Sequence, residues 1–356
     1  MTHNAYVVQS MRRKGPAMTI GGHEALLWKP ARDEAVDCFL CEHRCHVAPG
    51  QRGVCRVREN QGGRLMTLVY GRLIARHVDP IEKKPLCHFL PGSESYSVAA
   101  VGCNFQCGFC QNWQISQWPR SAKGEMPGEP MSPAEIVADA RRHACASISY
   151  TYTEPTIFYE YARDTALLAR AAGLKNVFVT NGFMTPEALD DIVTWLDAAN
   201  VDLKAWRDEF YRKTCKGRIE PVKESIRRMH AAGVHVEVTT LIVTGENDSP
   251  EELKGIAGFL ASLSPDLVWH VSRYHPDFEM SEPPPTPVET ILRAVEIGRQ
   301  AGLRFVYGGN VAGMCDTVCP SCGAKVIERR GLAVVSMNLH GAACAKCGAA
   351  IPIILA

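Results

Sequence analysis

Three thiols, Cys103, Cys107 and Cys110, stand in a C-x3-C-x2-C spacing within Cys103-Asn104-Phe105-Gln106-Cys107-Gly108-Phe109-Cys110, directly after an apolar, strand-like run at 96–101. No other stretch limits the chain as much. Four-iron clusters are ordinarily held by four thiolates, so a compact loop offering three leaves one iron an open position for a small molecule. The alternative is a zinc site short of one ligand, with Cys87 or His88 making up the fourth, because structural zinc prefers four closed nitrogen or sulfur ligands. A disulfide is the weakest reading. Disulfides persist in oxidising compartments, and the N-terminus lacks the basic, apolar, small-residue order of a secretory signal.

The cysteines as a whole point the same way. Of the 15 in the chain, four fall at 38–55, three at 103–110 and five at 315–347, and clustering of this kind in an intracellular-looking chain reads as metal binding. At 356 residues the chain can bury a large core and accommodate two or three domains. Its 39 Lys and Arg nearly balance 38 Asp and Glu, which excludes the overall basic field that drives nonspecific nucleic-acid binding. No apolar run approaches the roughly 18 residues of a membrane helix, so a soluble, cytoplasmic protein is expected.

Residues 1–35 have no regular pattern, and Arg12-Arg13-Lys14 reads as a solvated terminus. Next come Cys38, Cys41, Cys45 and Cys55, with Gly50 and Gly53 to let the loop fold back. Four thiols at this spacing suit a closed zinc site or an auxiliary iron–sulfur cluster, and the spacing does not choose between them. Apolar residues between 63 and 75 suggest a strand pair. Asp79-Pro80-Ile81-Glu82-Lys83-Lys84-Pro85 reads as a loop crossing the surface, which sets a first domain boundary near residue 94.

Beyond it, strand and helix patterns alternate. Strands are predicted at 96–102, 146–153, 176–180, 201–204, 234–243, 267–274 and 304–307, and helices at 136–144, 158–172, 189–198, 222–232, 253–263 and 288–301. Helix starts are marked by Ser132-Pro133, Thr185-Pro186, Ser249-Pro250 and Thr286-Pro287, since Pro at the first helical position after a capping hydroxyl is a strong start signal. Repeated βα units imply a parallel sheet covered by helices. The expected fold is α/β, an incomplete (β/α)6 TIM-like barrel over 95–312, between an N-terminal Cys-rich metal-binding segment (1–94) and a C-terminal zinc-ribbon-like domain (313–356).

In such barrels the strand exits build the active site. The first exit carries the three thiols, the second Thr153 and Glu154, the third Thr180 and Asn181, and the fourth Asp202 and Lys204. The fifth strand holds Glu237, Thr239 and Thr240, and the sixth exits through His270, Arg273 and His275. Glu154 could accept charge-assisted hydrogen bonds from an ammonium. Thr180 and Asn181 could bind ribose or carboxylate, and Phe109 offers a ring. At the C-terminal end, Cys319-Pro320-Ser321-Cys322 and Cys344-Ala345-Lys346-Cys347 are two knuckles separated by a β-rich stretch, the signature of a zinc ribbon. Cys315 falls outside that spacing, and Cys87, Cys145 and Cys215 read as plain thiols.

The three-thiol loop, with an aromatic before its last Cys, resembles the radical S-adenosylmethionine (SAM) superfamily. The resemblance implies a [4Fe-4S] cluster whose open iron chelates the amino and carboxylate groups of SAM, one-electron cleavage of the sulfonium, and a 5′-deoxyadenosyl radical. Within the superfamily the chain is similar to glycyl-radical activating enzymes such as the pyruvate formate-lyase activating enzyme. Glu154 falls where a Gly-Gly-Glu motif holds the SAM amino group, although Tyr152-Thr153 replaces the two glycines. Thr180-Asn181-Gly182, Asp202-Leu203-Lys204, His275 and Asn112 match further motif positions, and Phe109 would lie near the adenine. A likeness over almost the entire chain, through the four-Cys segment, Asp79–Pro85, Cys110-Gln111-Asn112-Trp113, Tyr152–Thr156 and the terminal Cys pairs, is to the radical SAM member of the AmmeMemoRadiSam group. That group is associated in genomes with AMMECR-type and Memo-type proteins, which are thereby implied as partners.

The expected function is reductive cleavage of SAM and hydrogen abstraction from an unidentified substrate, such as a small molecule or a peptide or protein residue. A flavodoxin- or ferredoxin-like donor would supply electrons unless the Cys38–Cys55 site is itself redox-active. A noncatalytic iron–sulfur or zinc scaffold for electron transfer is the competing expectation.

Overall fold

The computed structural model describes residues 22–121 and 124–355; the Arg12-Arg13-Lys14 run lies outside them. Its centre is an eight-stranded sheet formed by β1 (Ala75–Pro80), β2 (Glu94–Ala99), β3 (Ser147–Tyr150), β4 (Lys175–Thr180), β5 (Ala198–Asp202), β6 (His235–Ile242), β7 (Val268–Arg273) and β8 (Val306–Gly309). Strands β2 to β8 are parallel neighbours in chain order, while β1 runs antiparallel along β2. The two edge strands, β1 and β8, are not paired with each other, so the sheet is open. The main crossovers are α1 (Pro133–Arg142), α2 (Tyr159–Ala171), α3 (Pro186–Ile192), α4 (Ile219–Ala231), α5 (Pro250–Leu263) and α6 (Val288–Gln300). Among the described residues no helix is long and apolar enough to cross a membrane.

Capping chemistry sets several helix starts. Ser132 and Glu135 form a reciprocal capping box at α1, Thr185 accepts from Ala188 N at α3, and Ser249 accepts from Glu252 N at α5, each satisfying donors a helix leaves unpaired. Thr286 departs from this pattern. Its hydroxyl donates to Ile242 O at 2.6 Å, tying α6 to β6 rather than capping it. Helix α3 stops at Ile192, six residues short of the sequence expectation. There Trp195 folds back, its indole N–H donating to Asp191 at 2.8 Å, and Ala198 already belongs to β5. Gly298 lets α6 approach the sheet, because a Cβ there would come within 2.9 Å of Val306 and 3.0 Å of Trp269.

Two further expectations are corrected. The N-terminal hairpin pairs Arg58–Gln61 with Arg64–Thr67 and turns at Gly62 and Gly63, both with positive φ, earlier than the 63–75 pattern implied. The segment from Ile81 to Leu90 does not cross the surface. Ile81, Leu86, Phe89 and Leu90 are buried against Val177 and Ala198 and plug the sheet from its N-terminal side. Lys84 goes in with them, 1% exposed, because its ammonium meets Asp79 at 2.6 Å.

The C-terminal segment is a small antiparallel sheet of β9 (Thr317–Val318), β10 (Lys325–Arg330) and β11 (Ala333–Met337). It shares a core with the floor of the large sheet through Val268, Phe305, Tyr307, Ile327, Ile351 and Ile353. Arg329 is buried at that seam and donates to Cys87 O at 2.7 Å and to Cys315 O and Thr317 Oγ1 at 2.9 Å each, beside Glu82.

Candidate active site

Cys103, Cys107 and Cys110 line the loop that leaves β2. Phe105 N–H donates to Cys103 Sγ at 3.3 Å, and Ser116 Oγ lies 3.2 Å from Cys110 Sγ. Burial pushes the Cys103 and Cys110 thiols up, and contact with Cys215 together with burial does the same for Cys107. The loop is pinned from outside by Gln106 N–H to Cys215 O at 3.0 Å and by Phe105, whose ring lies so close to Gly217 that a Cβ there would overlap it at 2.3 Å.

Beside the loop sits a buried polar array. Glu154 Oε1 accepts from Thr156 N at 3.0 Å, Thr156 Oγ1 at 2.6 Å and Thr180 Oγ1 at 2.7 Å, and Oε2 accepts from Asn181 N at 2.8 Å. Glu154 is therefore a helix-start carboxylate, capping Pro155–Phe158, and also a neighbour of the thiols. A carboxylate offers about four acceptor positions; Oε1 is crowded, while Oε2 keeps capacity for one more donor. Burial raises its pKa against the pull of these hydrogen bonds. Asn181 Nδ2 donates to Asn104 Oδ1 at 2.7 Å and approaches Cys103 Sγ at 3.8 Å, so the third exit reaches the thiol loop directly.

Lys204 and Asp202 pair at 2.9 Å, with the ammonium 5.7 Å from the Phe109 ring centre. Burial works to lower the Lys204 pKa, but Asp202, Cys107 and Cys215 outweigh it and leave it raised. Phe109 itself is buried and stacked on Phe210. Asn112 Nδ2 donates to Tyr152 O at 2.8 Å, Thr153 Oγ1 donates to Ala100 O at 2.7 Å, and the exposed His275 accepts from Gln111 Nε2 at 2.9 Å. Thr239 lies on the inner face of β6, its hydroxyl buried without a partner.

Tyr152, which stands where the related motif has glycine, adopts φ +62°. The left-handed backbone that glycine would supply is thus kept by a tyrosine. Its hydroxyl donates to Asp79, and the Lys84 ammonium lies 4.7 Å from its ring centre, which offsets a cost of roughly 1–2 kcal/mol.

Glu237 and His270 do not belong to the exits. They lie at the floor, where Glu237 accepts from Cys87 N at 3.0 Å, His88 N at 2.7 Å, His235 Nε2 at 3.0 Å and His270 Nε2 at 2.6 Å. Cys87 and His88 are therefore at the opposite end of the strands from Cys103 and cannot complete a zinc site there. Cys87, Glu237 and His270 do cluster within 4.8 Å, but the carboxylate already spends its acceptor positions on four donors.

In the C-terminal quartet, Cys319, Cys322, Cys344 and Cys347 bring their sulfurs within 4.8 Å of one another, with Cys319–Cys347 and Cys322–Cys344 each at 3.7 Å. A zinc–sulfur bond of about 2.3 Å in a tetrahedron gives a sulfur–sulfur edge of about 3.8 Å. The quartet thus forms a four-thiol site of single-ion dimensions. Cys103, Cys107 and Cys110 do not contract in this way, since among the described residues no group of three ligands drawn together within 4.8 Å includes them. That wider all-sulfur set fits a polynuclear cluster.

Sequence reasoning missed three participants. Cys215, a lone thiol with no spacing signal, borders Cys107. Arg120 donates to Cys103 O at 2.9 Å and Val54 O at 3.0 Å, and His43 Nε2 reaches Asn104 O at 2.8 Å. Only the folded chain brings these together.

Comparison with known proteins adds an independent line. The family model described as the radical SAM superfamily matches residues 97–260, from β2 into α5, leaving both outer Cys quartets beyond it. An uncharacterized protein of Methanocaldococcus jannaschii is 42% identical over 337 residues, covering 93% of this chain and 99% of its own length. Among solved structures, a domain of a pyruvate-formate lyase-activating enzyme from Bacteroides vulgatus is 21% identical, covering 46% of this chain and 99% of that one with a TM-score of 0.41. A radical SAM methyltransferase from Sphaerobacter thermophilus is 19% identical, covering 66% of this chain and 71% of that one with a TM-score of 0.49.

Proposed function

The chain belongs to the radical SAM superfamily, and from that premise we propose that it is an enzyme using a [4Fe-4S] cluster on Cys103, Cys107 and Cys110 with SAM as cosubstrate. The observation that carries the reading is the placement of three unsaturated thiols at one strand exit beside the Glu154–Thr180–Asn181 array. When bound, the cluster and SAM supply one-electron cleavage of the sulfonium and a hydrogen-abstracting 5′-deoxyadenosyl radical. The chain's own part is binding, orientation and exclusion of water.

Glu154 Oε2 would take the SAM ammonium in its remaining acceptor position, and a buried carboxylate makes that hydrogen bond strong. Thr180 and Asn181 hold Glu154 in place, Asn112 and Thr153 fix the loops on either side, and Asp202, Lys204, Thr239 and His275 supply polar groups for the remainder of the cosubstrate. Phe109, turned inward, would close the site with its ring rather than offer it to solvent. The substrate is a small molecule or a peptide or protein residue, with a glycyl-radical-activase-like role and the AmmeMemoRadiSam group as the specific assignments. Electrons would come from a flavodoxin- or ferredoxin-like protein in the cytoplasm. Zinc is the proposed ion of the Cys319–Cys347 ribbon, on the sulfur spacing above, and an incomplete barrel over 95–312 is the proposed architecture around the site.

The test is chemical. Anaerobically reconstituted protein with dithionite and SAM is expected to release 5′-deoxyadenosine, and Cys107→Ala to fall to background. Cluster-loaded wild type that releases none would overturn the reading.

A further inference from the structure

The four N-terminal thiols have no part in that chemistry, although the segment that carries them packs on the three-thiol loop, His43 Nε2 reaching Asn104 O at 2.8 Å. Cys38, Cys41 and Cys55 are buried, and Cys45 is partly exposed. Val54 N–H points at Cys45 Sγ at 3.4 Å, and the buried guanidinium of Arg58, paired with Glu160, donates to Cys38 Sγ at 3.4 Å. A buried cation and an amide aimed at sulfur are what anionic thiolates require. The quartet is nevertheless spaced unlike the C-terminal one, because no three of its sulfurs come within 4.8 Å of one another. In that respect it matches Cys103, Cys107 and Cys110. The molecule thus holds its own yardstick, with one set of thiols drawn in to single-ion dimensions and two sets held wider.

Position adds the second observation. A Cβ on Gly102, the residue before Cys103, would lie 3.5 Å from Cys55 O and 2.8 Å from Val57, so the two cysteine loops touch through backbone. Gly102 has φ +108°, a conformation that also favours glycine. Arg120 bridges the loops by donating to Val54 O and Cys103 O. The Cys55 carbonyl lies against the start of the three-thiol loop, and Cys45 is the partly exposed member of the quartet.

We infer that Cys38, Cys41, Cys45 and Cys55 bind a second iron–sulfur cluster that passes electrons to the cluster on Cys103, Cys107 and Cys110. The relay rests on the function proposed above, whereas the cluster itself does not. One electron enters from a low-potential one-electron donor protein of the flavin or iron–sulfur class, reducing one ferric site of the quartet's cluster to ferrous. It then leaves for the inner cluster, which is reduced as the outer one is reoxidised. No bond is made or broken and no proton moves.

Two measurements test this. In a Cys103→Ala/Cys107→Ala/Cys110→Ala variant, anaerobic reconstitution is expected to leave iron and acid-labile sulfide in equal amounts, with an iron–sulfur paramagnetic signal on reduction. Further substitution by Cys41→Ser and Cys45→Ser should remove both, while zinc on the ribbon and the melting transition report that the fold persists. A triple variant holding no sulfide but a second zinc would overturn the cluster. For the relay, Cys41→Ser/Cys45→Ser in the otherwise intact chain is expected to lower 5′-deoxyadenosine formation about tenfold or more with reduced flavodoxin, and to leave it nearly unchanged with dithionite, which reduces the inner cluster directly. Equal loss with both reductants, or loss with neither, overturns the relay. Wild type inactive with dithionite would instead sink the radical SAM assignment, leaving the iron and sulfide of the triple variant to decide the outer cluster.

Discussion

Glu237 and Glu154 are both buried carboxylates on the same sheet, one at its floor and one at a strand exit. Glu237 is 0% exposed and Glu154 2%. Glu237 divides four donors evenly between its oxygens, two of them histidine ring nitrogens, and despite burial its pKa is held well below the usual range. Glu154 receives as many donors, but three crowd one oxygen and its pKa is raised. The floor carboxylate is satisfied by the fold. The exit carboxylate is held in place by the fold and left with capacity for a cation. In a parallel sheet this division follows from topology, because floor loops face a second layer of chain and exit loops face the reaction space.

The largest effect expected from testing that contrast is at the floor. Glu237→Ala strands the donors of His235 and His270 in a dry interior, and breaking such a network costs about 3–5 kcal/mol. Urea denaturation should show that loss, with SAM affinity per folded molecule unchanged. A variant of wild-type stability would mean that the floor network is ornamental.

Acid should act on the same region. Burial lowers His88 to about 4 from its ordinary 6.5, so between those values the unfolded chain binds a proton that the native chain refuses. Stability from this group is therefore complete above about pH 6.5 and declines as pH falls toward 4, by about 3 kcal/mol in total. Glu237, with its depressed pKa, adds loss in the same sense lower in the range. Comparing the pH dependence of the melting temperature in wild type and His88→Gln checks it, the variant giving the flatter curve.

At the exit, Glu154→Gln keeps an oxygen for the cap and removes the charge. The expected change is in cosubstrate binding, by about 1.5–3 kcal/mol, the range for a hydrogen bond to a charged group, and titration with SAM would read it. An unaltered SAM affinity would move the ammonium site elsewhere. The smallest effect should come from Tyr152→Phe, which keeps the ring under the Lys84 ammonium and gives up only the hydroxyl bond to Asp79. The melting transition should move by about 1 kcal/mol equivalent.

The helical and strand alternation was legible because capping residues and apolar periodicity repeat at each βα unit; Ser132-Pro133 and Ser249-Pro250 lead into helices as read. The floor plug was not. Ile81, Leu86, Phe89 and Leu90 follow no period, and the prolines and charges among them imitate a surface loop. Burying Lys84 requires Asp79, whose partnership is a tertiary fact. Likewise, a polar residue on a barrel-facing strand can serve either end, and only register assigns His270 to the floor opposite Tyr307. The thiol spacings set apart three cysteine clusters, but their differing widths, and the contact between the segments of two of them, exist only in the fold.

Arg329 gives the ribbon a further meaning. Its guanidinium donates to Thr317 Oγ1, which stands 2.8 Å from Tyr307 OH, itself 2.7 Å from His88 Nε2; the other ring nitrogen donates to Pro352 O at 3.0 Å. This string knits residues made early in translation to others made more than two hundred positions later. The ribosome must therefore release the chain through Pro352 before the underside of the sheet can seal, and until then a nascent chain would carry His88 and Glu82 unclasped.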